Sequence, residues 1–134
     1  MSHAIEIKVR GYHLDLFRHV NNARYLEFLE EARWNLLETT NNLDILEKQG
    51  YAFAVVNINI NYRRAAYMGE ILRIITTIKS IGARRCVMHQ LVTLKDTDTV
   101  IADADVTFVI VDTQAEKAVV LEGELRAGME RMAD

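Results

Sequence analysis

Apolar and polar residues recur with two different periods along this chain, and the changes of period mark the elements. Over residues 4–9, Ile5, Ile7 and Val9 share one face, which predicts a first strand. From Asn22 to about Thr39 the spacing becomes three and four. Tyr25, Phe28, Leu29, Ala32 and Leu36 form an apolar stripe, and Arg24, Glu27, Glu31, Asn35 and Glu38 a polar one. That pattern predicts a helix with one wet and one buried face. Asn41, Asn42 and Gly50 punctuate a short apolar segment, which predicts a loop holding at most one helical turn.

Four strand-like segments follow, over residues 52–63, 71–81, 84–94 and 100–112, with short turns that favour antiparallel neighbours. In the last of them Val100, Ala102, Ala104, Val106, Phe108 and Ile110 alternate with Asp103, Asp105 and Thr107, giving a core side and a polar side. In the first, Ala54, Val56, Ile58, Ile60 and Tyr62 fall on one face and Asn57, Asn59 and Asn61 on the other. Asparagine is depleted in strands, so the trio fits either a wet outer face or a hydrogen-bonded surface between subunits. An amphipathic stretch over residues 122–132 predicts a terminal helix. Strand, long helix and a run of strands describe an α+β layer, a five-stranded antiparallel sheet wrapped around one central helix. Ala102 and Ala104 are small enough to let that helix come close. The sheet keeps exposed edges and an uncovered face, so self-association is expected.

Composition narrows the class. The chain has 134 residues, half of them hydrophobic, and neither proline nor a linker-like stretch, which predicts a single domain over residues 1–134. A net charge of −3 offers no basic field for nucleic acid, and no apolar run reaches the ~20 residues of a membrane span. The N-terminus lacks the apolar core of a signal peptide, and the single cysteine, Cys86, has no partner for an internal disulfide. The expected location is cytoplasmic.

Candidate chemistry concentrates in residues 15–33. Asp15 and His19 precede the helix, and Asn21 and Asn22 are N-cap residue types at its start. A carboxylate thus stands beside free N–H groups that can bind developing negative charge, an arrangement suited to acyl transfer. Each residue also has a plainer reading: Asp15 as a cap or surface charge, His19 as a loop-ordering ring, Glu30 as an ion-pair partner of Arg33, Cys86 as a packed thiol. Two arginine pairs, Arg63-Arg64 and Arg84-Arg85, sit at strand ends, where they either hold ligand phosphates or simply face solvent. No Gly-x-Ser-x-Gly elbow, glycine-rich phosphate loop or His-Glu-x-x-His helix occurs. His3, His13, His19 and His89 show no metal-ligand spacing.

The run Asp15-x-x-x-His19-Val20-Asn21-Asn22-x-x-Tyr25, followed by Phe28, Glu30, Ala32 and Arg33, resembles the active-site signature of hotdog-fold acyl-CoA thioesterases of the 4-hydroxybenzoyl-CoA thioesterase-like branch. Further stretches, Asn61-Tyr62-Arg63-Arg64, Ala102-Asp103-Ala104 and residues 121–126, are similar to the bacterial long-chain acyl-CoA thioesterase III subgroup. The resemblance implies hydrolysis of long-chain acyl-CoA without metal or cofactor. Asp15 would be base or nucleophile, the Asn22 backbone N–H the oxyanion donor and His19 a positioning residue. Beside the resemblance, the acyl pocket is expected between helix and sheet with Tyr25 in its wall, and the strand-end arginines Arg63, Arg64, Arg84 and Arg85 are the candidates to hold the CoA phosphates. The resemblance also implies active sites at a dimer interface, and commonly a homotetramer of two dimers. Two departures fall in loops: Arg18 where related chains often carry glycine, and Ala65 where many carry proline. Other readings are an acyl-CoA-binding hotdog dimer without catalysis, and a dehydratase or hydratase, whose histidine motifs contain the proline this chain lacks.

Overall fold

In the computed structural model, which describes residues 3–133, the chain runs β1 (His3–Lys8), a 3₁₀ turn (Gly11–His13), α1 (Asn22–Thr39), α2 (Asn42–Gln49), β2 (Tyr51–Tyr62), β3 (Ile71–Ile81), β4 (Arg85–Leu94), β5 (Val100–Asp112), β6 (Lys117–Ala118) and α3 (Gly123–Met132). The main strands lie in the order β1-β3-β4-β5-β2, and the short β6 pairs with the end of β5. All pairings are antiparallel. β2 therefore offers one free edge of the sheet, and it is twelve residues long.

One face of the sheet packs on α1. The stripe Tyr25, Phe28, Leu29, Ala32 and Leu36 is buried together with Leu72, Ile74, Met88, Val92, Val106, Phe108 and Ile110. Fully burying a side chain of this size stabilises the fold by about 1.5–3 kcal/mol. At the centre, Gln90 Nε2 donates to the Leu29 carbonyl at 3.0 Å and to Thr76 Oγ1 at 3.1 Å, while Arg33 Nη1 donates to Gln90 Oε1 at 3.1 Å. This buried network ties the helix to the two middle strands. α1 comes closest to β3 and β1. The small Ala102 and Ala104 on β5 do not draw it in, so the expected close approach there is corrected. On the β2 side helix and sheet stand apart.

The expected loop at residues 41–50 is instead a two-turn helix. Asn41 and Gly50, both in the left-handed region (φ 64° and 69°), are its ends rather than marks of irregular chain. Ile45 and Leu46 are buried beneath it, and Asn42 Nδ2 donates to the Gly128 carbonyl at 3.1 Å, joining α2 to α3.

Two bulges correct the expected strand faces. The β2–β5 register slips between Val55 and Asn57, so Val56 is an extra residue. Phe53 and Val55 share the inner face with Ile58, Ile60 and Tyr62, opposite the buried side chains of β5, whereas Ala54 and Val56 leave it. Asn57, Asn59 and Asn61 are exposed on the outer face. A second slip, between Val92 and Thr93, makes Ile101 the extra residue of β5 and takes Val100 off the inner face. The Ile101 carbonyl accepts both the Arg63 and the Arg64 N–H, at 2.8 and 3.1 Å, and so fixes the chain where it leaves β2.

Candidate active site

The loop before α1 folds back on itself. Leu14 and Val20 form an antiparallel bridge, and the Asp15 N–H donates to the His19 carbonyl at 3.0 Å. Asp15 Oδ1 accepts the Phe17 N–H at 2.8 Å, a short side-chain turn that fixes the carboxylate. The tight reversal places Arg18 at φ 68°. That is the conformation glycine adopts without cost, which gives a physical reason for glycine in related chains. The loop therefore keeps its shape with arginine in place, at some strain.

His19 orders this loop through its backbone. Its carbonyl holds Asp15, and His19 pairs with Tyr67 in a second bridge. The ring lies between those of Phe17 and Tyr67, each 6.4 Å away, and its Nδ1 stands 3.8 Å from Asp15 Oδ2, an ionic rather than a hydrogen-bonding distance.

Asn21 is the N-cap of α1. Its Oδ1 accepts the Ala23 N–H at 2.9 Å. Asn22 is the first helical residue, and its N–H meets no acceptor among the described residues. An amide at a helix N-terminus, free and backed by the helix dipole, suits an incoming oxyanion. Asn22 lines a hollow of about 220 Å³ together with His19, Val20, Tyr25, Tyr62, Arg63, Arg64 and Ala65. Asp15 does not line this hollow; its carboxylate lies 3.8 Å from the ring of His19, which does.

Tyr25 is buried against Tyr62, with ring centroids 5.4 Å apart, and burial pushes its hydroxyl up to about 12. Tyr62, which the sequence did not single out as a site residue, donates its hydroxyl to the Asn22 carbonyl at 3.2 Å. Its position at the end of a strand, next to the arginine pair, is the one signal for it in the sequence. Arg63 is held by Asp103 (Nε to Oδ2, 2.7 Å) and Arg64 by both oxygens of Glu70 (2.9 and 3.1 Å). The Arg63 hydrogen bond holds the Asp103 carboxyl below its usual range. Burial pushes Glu70 up, yet hydrogen bonds from Arg64 and from the Tyr67 N–H outweigh it, and the net shift is downward.

Arg84 and Arg85 lie elsewhere. Arg85 pairs with Val109, whereas Tyr62 pairs with Ala102, seven residues back along β5. At about 3.4 Å per residue the two arginine pairs are roughly 24 Å apart within one chain.

Glu30 is not paired with Arg33 as expected. Its Oε2 accepts the Trp34 Nε1–H at 3.2 Å, because the Arg33 side chain passes beneath the helix to Gln90. Cys86 is fully buried in β4, and burial raises its thiol to about 11, which fits packing and not attack. Among the described residues no group of three or more histidine, cysteine, aspartate or glutamate side chains could hold a metal ion, and no helix is long and apolar enough to cross a membrane.

Between α1 and the free edge strand β2 runs a separate groove of about 790 Å³. Leu26, Trp34 and Leu37 of α1 face Phe53, Val55 and Ile58 of β2, and Leu43, Leu46 and Tyr51 close the far end. It is the space left by the lean of α1 toward β1 and β3.

Comparison with known proteins identifies the family. Residues 9–129 match the Thioesterase-like superfamily. The chain is 50% identical to the long-chain acyl-CoA thioesterase FadM of Escherichia coli K12 over 127 residues, 95% of this chain and 96% of that one. It is 30% identical to the acyl-CoA thioesterase YbgC of Haemophilus influenzae over 115 residues, covering 84% and 83% of the two. The crystal structure of the probable thioesterase YbaW from Escherichia coli superposes with a TM-score of 0.92 at 48% identity, over 98% of each chain. The curled antiparallel sheet packed on α1 is the hotdog fold, and this chain belongs to the thioesterase-like superfamily.

Proposed function

We propose that this protein hydrolyses long-chain fatty acyl-CoA thioesters to free fatty acid and CoA. The observation that carries the reading is the free Asn22 N–H at the start of α1, beside one hollow, with a second, mainly apolar groove lying between residues 26–37 of the same helix and β2. The thioester carbonyl accepts from that amide, a donor worth ~3 kcal/mol to the developing oxyanion in comparable sites. From Asn22 to Leu37 the helix advances about 22 Å. An extended alkyl chain advances about 1.25 Å per carbon, so roughly 17 carbons fit beside the helix. In one route Asp15 attacks the acyl carbon, forming a mixed anhydride as the C–S bond breaks and CoA leaves as thiolate; water then cleaves the anhydride to fatty acid and free carboxylate. In the other it takes a proton from the attacking water and passes it to the departing sulfur. Arg63 and Arg64, at the mouth of the hollow, are the arginines closest to where CoA phosphates would lie.

The working unit is a homodimer, paired in turn as a homotetramer. Three features support a second copy. Asp15 does not face the Asn22 hollow within one chain, Leu16 and Phe17 beside it are 89% and 75% exposed, and β2 has an unpaired edge flanked by exposed Val55 and Val56. A two-fold axis along β2 would bring the apolar loop of each chain to the apolar groove of the other. A free, buried Cys86 fits a reducing compartment such as the cytoplasm.

The test is thiol release from acyl-CoAs of four to eighteen carbons by the purified protein, with its mass in solution measured in parallel. The expected profile rises toward 12–16 carbons and belongs to a dimer or tetramer. Absence of hydrolysis at every chain length refutes the proposal.

A further inference from the structure

Arg33 is the side chain of the groove that the fold itself does not explain. It is 6% exposed and makes one hydrogen bond, to Gln90, and no carboxylate among the described residues lies within 4.0 Å of it. A guanidinium carries five N–H donors and stays charged in proteins. Its spare donors are not sealed in the core: among the described residues the buried side-chain nitrogens and oxygens without partners are His3 Nδ1 and Asn42 Oδ1. They open onto the groove that Arg33 lines. The acids along the same wall do not neutralise it by contact, since Glu27 is paired with Arg24 at 2.9 Å and Glu30 with the Trp34 ring N–H. Burial pulls the arginine below its usual value, with the charge of Glu30 pulling the other way. A buried cation with one neutral partner costs stability, and a protein retains it where something else completes its shell.

The rest of the lining fixes what that partner is. The groove also carries Glu27, Glu30 and Glu47, but the greater part of its wall is alkyl and aromatic, from Leu26, Trp34, Leu37, Phe53, Val55 and Ile58, so the ligand that complements Arg33 is an anion carried on a long apolar chain. We infer that Arg33 is an anion receptor within the groove and binds the carboxylate of a long alkyl chain. Arg33 lies eleven residues beyond Asn22, about 16 Å along the helix, or the reach of roughly 13 carbons. Two sources of the same chemistry fit. A free fatty acid can lie reversed, carboxylate on Arg33 and tail toward Asn22, and so inhibit. Alternatively, an acyl-CoA carrying a second carboxylate at its far end can lie in the productive direction. The second arm rests on the proposed thioesterase reading, and the binding itself does not.

The decisive experiment titrates the full-length protein with tetradecanoate and, separately, with tetradecan-1-ol, below micelle-forming concentrations. The expected result is carboxylate binding at least tenfold tighter than alcohol binding. That preference falls to near unity in Arg33→Met and returns in part in Arg33→Lys. Gln90→Glu gives a second route that keeps the arginine: a carboxylate built in at the 3.1 Å contact occupies Arg33 and abolishes the preference as well. Equal affinity for acid and alcohol in the unmodified protein, or a preference that survives both Arg33→Met and Gln90→Glu, overturns the inference. Steady-state arms then separate the sources. Inhibition by tetradecanoate relieved in Arg33→Met identifies the free acid. A kcat/KM for the mono-CoA thioester of tetradecanedioic acid at least tenfold above that for tetradecanoyl-CoA, lost in Arg33→Met, identifies the second carboxylate. Arg33-dependent binding without any hydrolysis would refute the thioesterase reading alone. Hydrolysis without the carboxylate preference would refute this one alone.

Discussion

Replacing Asp15 by asparagine separates its chemistry from its place in the fold. The carboxylate makes one hydrogen bond, accepting the Phe17 N–H through Oδ1 at 2.8 Å, with His19 Nδ1 further off at 3.8 Å, and an asparagine oxygen can take over that bond. Stability should therefore change by less than about 0.5 kcal/mol, as for an ordinary surface substitution. Asp15→Ala loses the bond and should cost about 1 kcal/mol, or roughly 3–5 °C in Tm for a chain of this size. Activity should behave differently. Neither side chain can attack the thioester or accept a proton, so both variants lose on the order of 10²–10⁴ in kcat, equivalent to about 2.7–5.4 kcal/mol of barrier. What remains is owed to the Asn22 amide and to binding along the groove, so KM should move little. Thiol release from tetradecanoyl-CoA, with thermal melts of all three proteins, gives both readouts. If Asp15→Asn keeps more than a tenth of the original kcat, the role assigned to Asp15 is wrong. A large loss of stability in Asp15→Asn would mean that the lost activity reports on the loop instead.

Other expectations follow from the same contacts. Gln90→Leu strips Arg33 of its single hydrogen-bond partner and also removes the bonds to the Leu29 carbonyl and Thr76; it should cost about 3 kcal/mol in urea unfolding, with the Arg33 part alone recovered when Arg33→Met is added; simple additivity of the two changes would refute the coupling. Arg18→Gly relieves a left-handed arginine and, after the extra freedom of the unfolded chain, should raise stability by up to about 1 kcal/mol; a lower Tm would contradict this. Arg64→Gln should raise KM for acyl-CoA more than it lowers kcat, and an unchanged KM would leave Arg64 as no more than the partner of Glu70. The carboxyls of Glu70, Asp103 and Asp105 are all lowered by their partners. Their stabilisation is therefore present above the unfolded-state values near 4 and is lost as pH falls through the folded values. Thermal melts from pH 6 to pH 3 should show that loss, and it should be shallower in Asp103→Asn.

Much of this architecture could be read from the chain because the deciding interactions are local in sequence. The stripe of α1 is set by neighbours three and four apart, and the Asp15–His19 loop with the Asn21 cap spans seven residues. The helix at residues 42–49 was not legible, because asparagine and glycine in left-handed positions bound a short helix as readily as they mark a loop. The bulge at Val56 was hidden for a different reason: Ala54, Val56 and Ile58 keep perfect alternation in sequence while the backbone slips one place between them. Within the site, Asp15, His19 and Asn22 were visible together. Arg33 meets Gln90 across 57 positions and Tyr62 reaches Asn22 across 40, and no local pattern encodes either contact. The pairing expected for Glu30 and Arg33 failed because spacing along a helix says nothing of a partner waiting on the sheet.

Cys86 turns the protein into its own calibrated instrument. The chain carries one thiol, sealed in the middle strand β4 and held protonated by burial. A disulfide reagent added to follow released CoA will therefore meet no competing thiol on the native enzyme, and the blank rate should be close to zero. The same reagent with no substrate present reads something else. Cys86 can react only when the packing over its face of β4 lifts away, so the rate of labelling counts openings of the core. One cuvette can thus report turnover with substrate and the integrity of the fold without it.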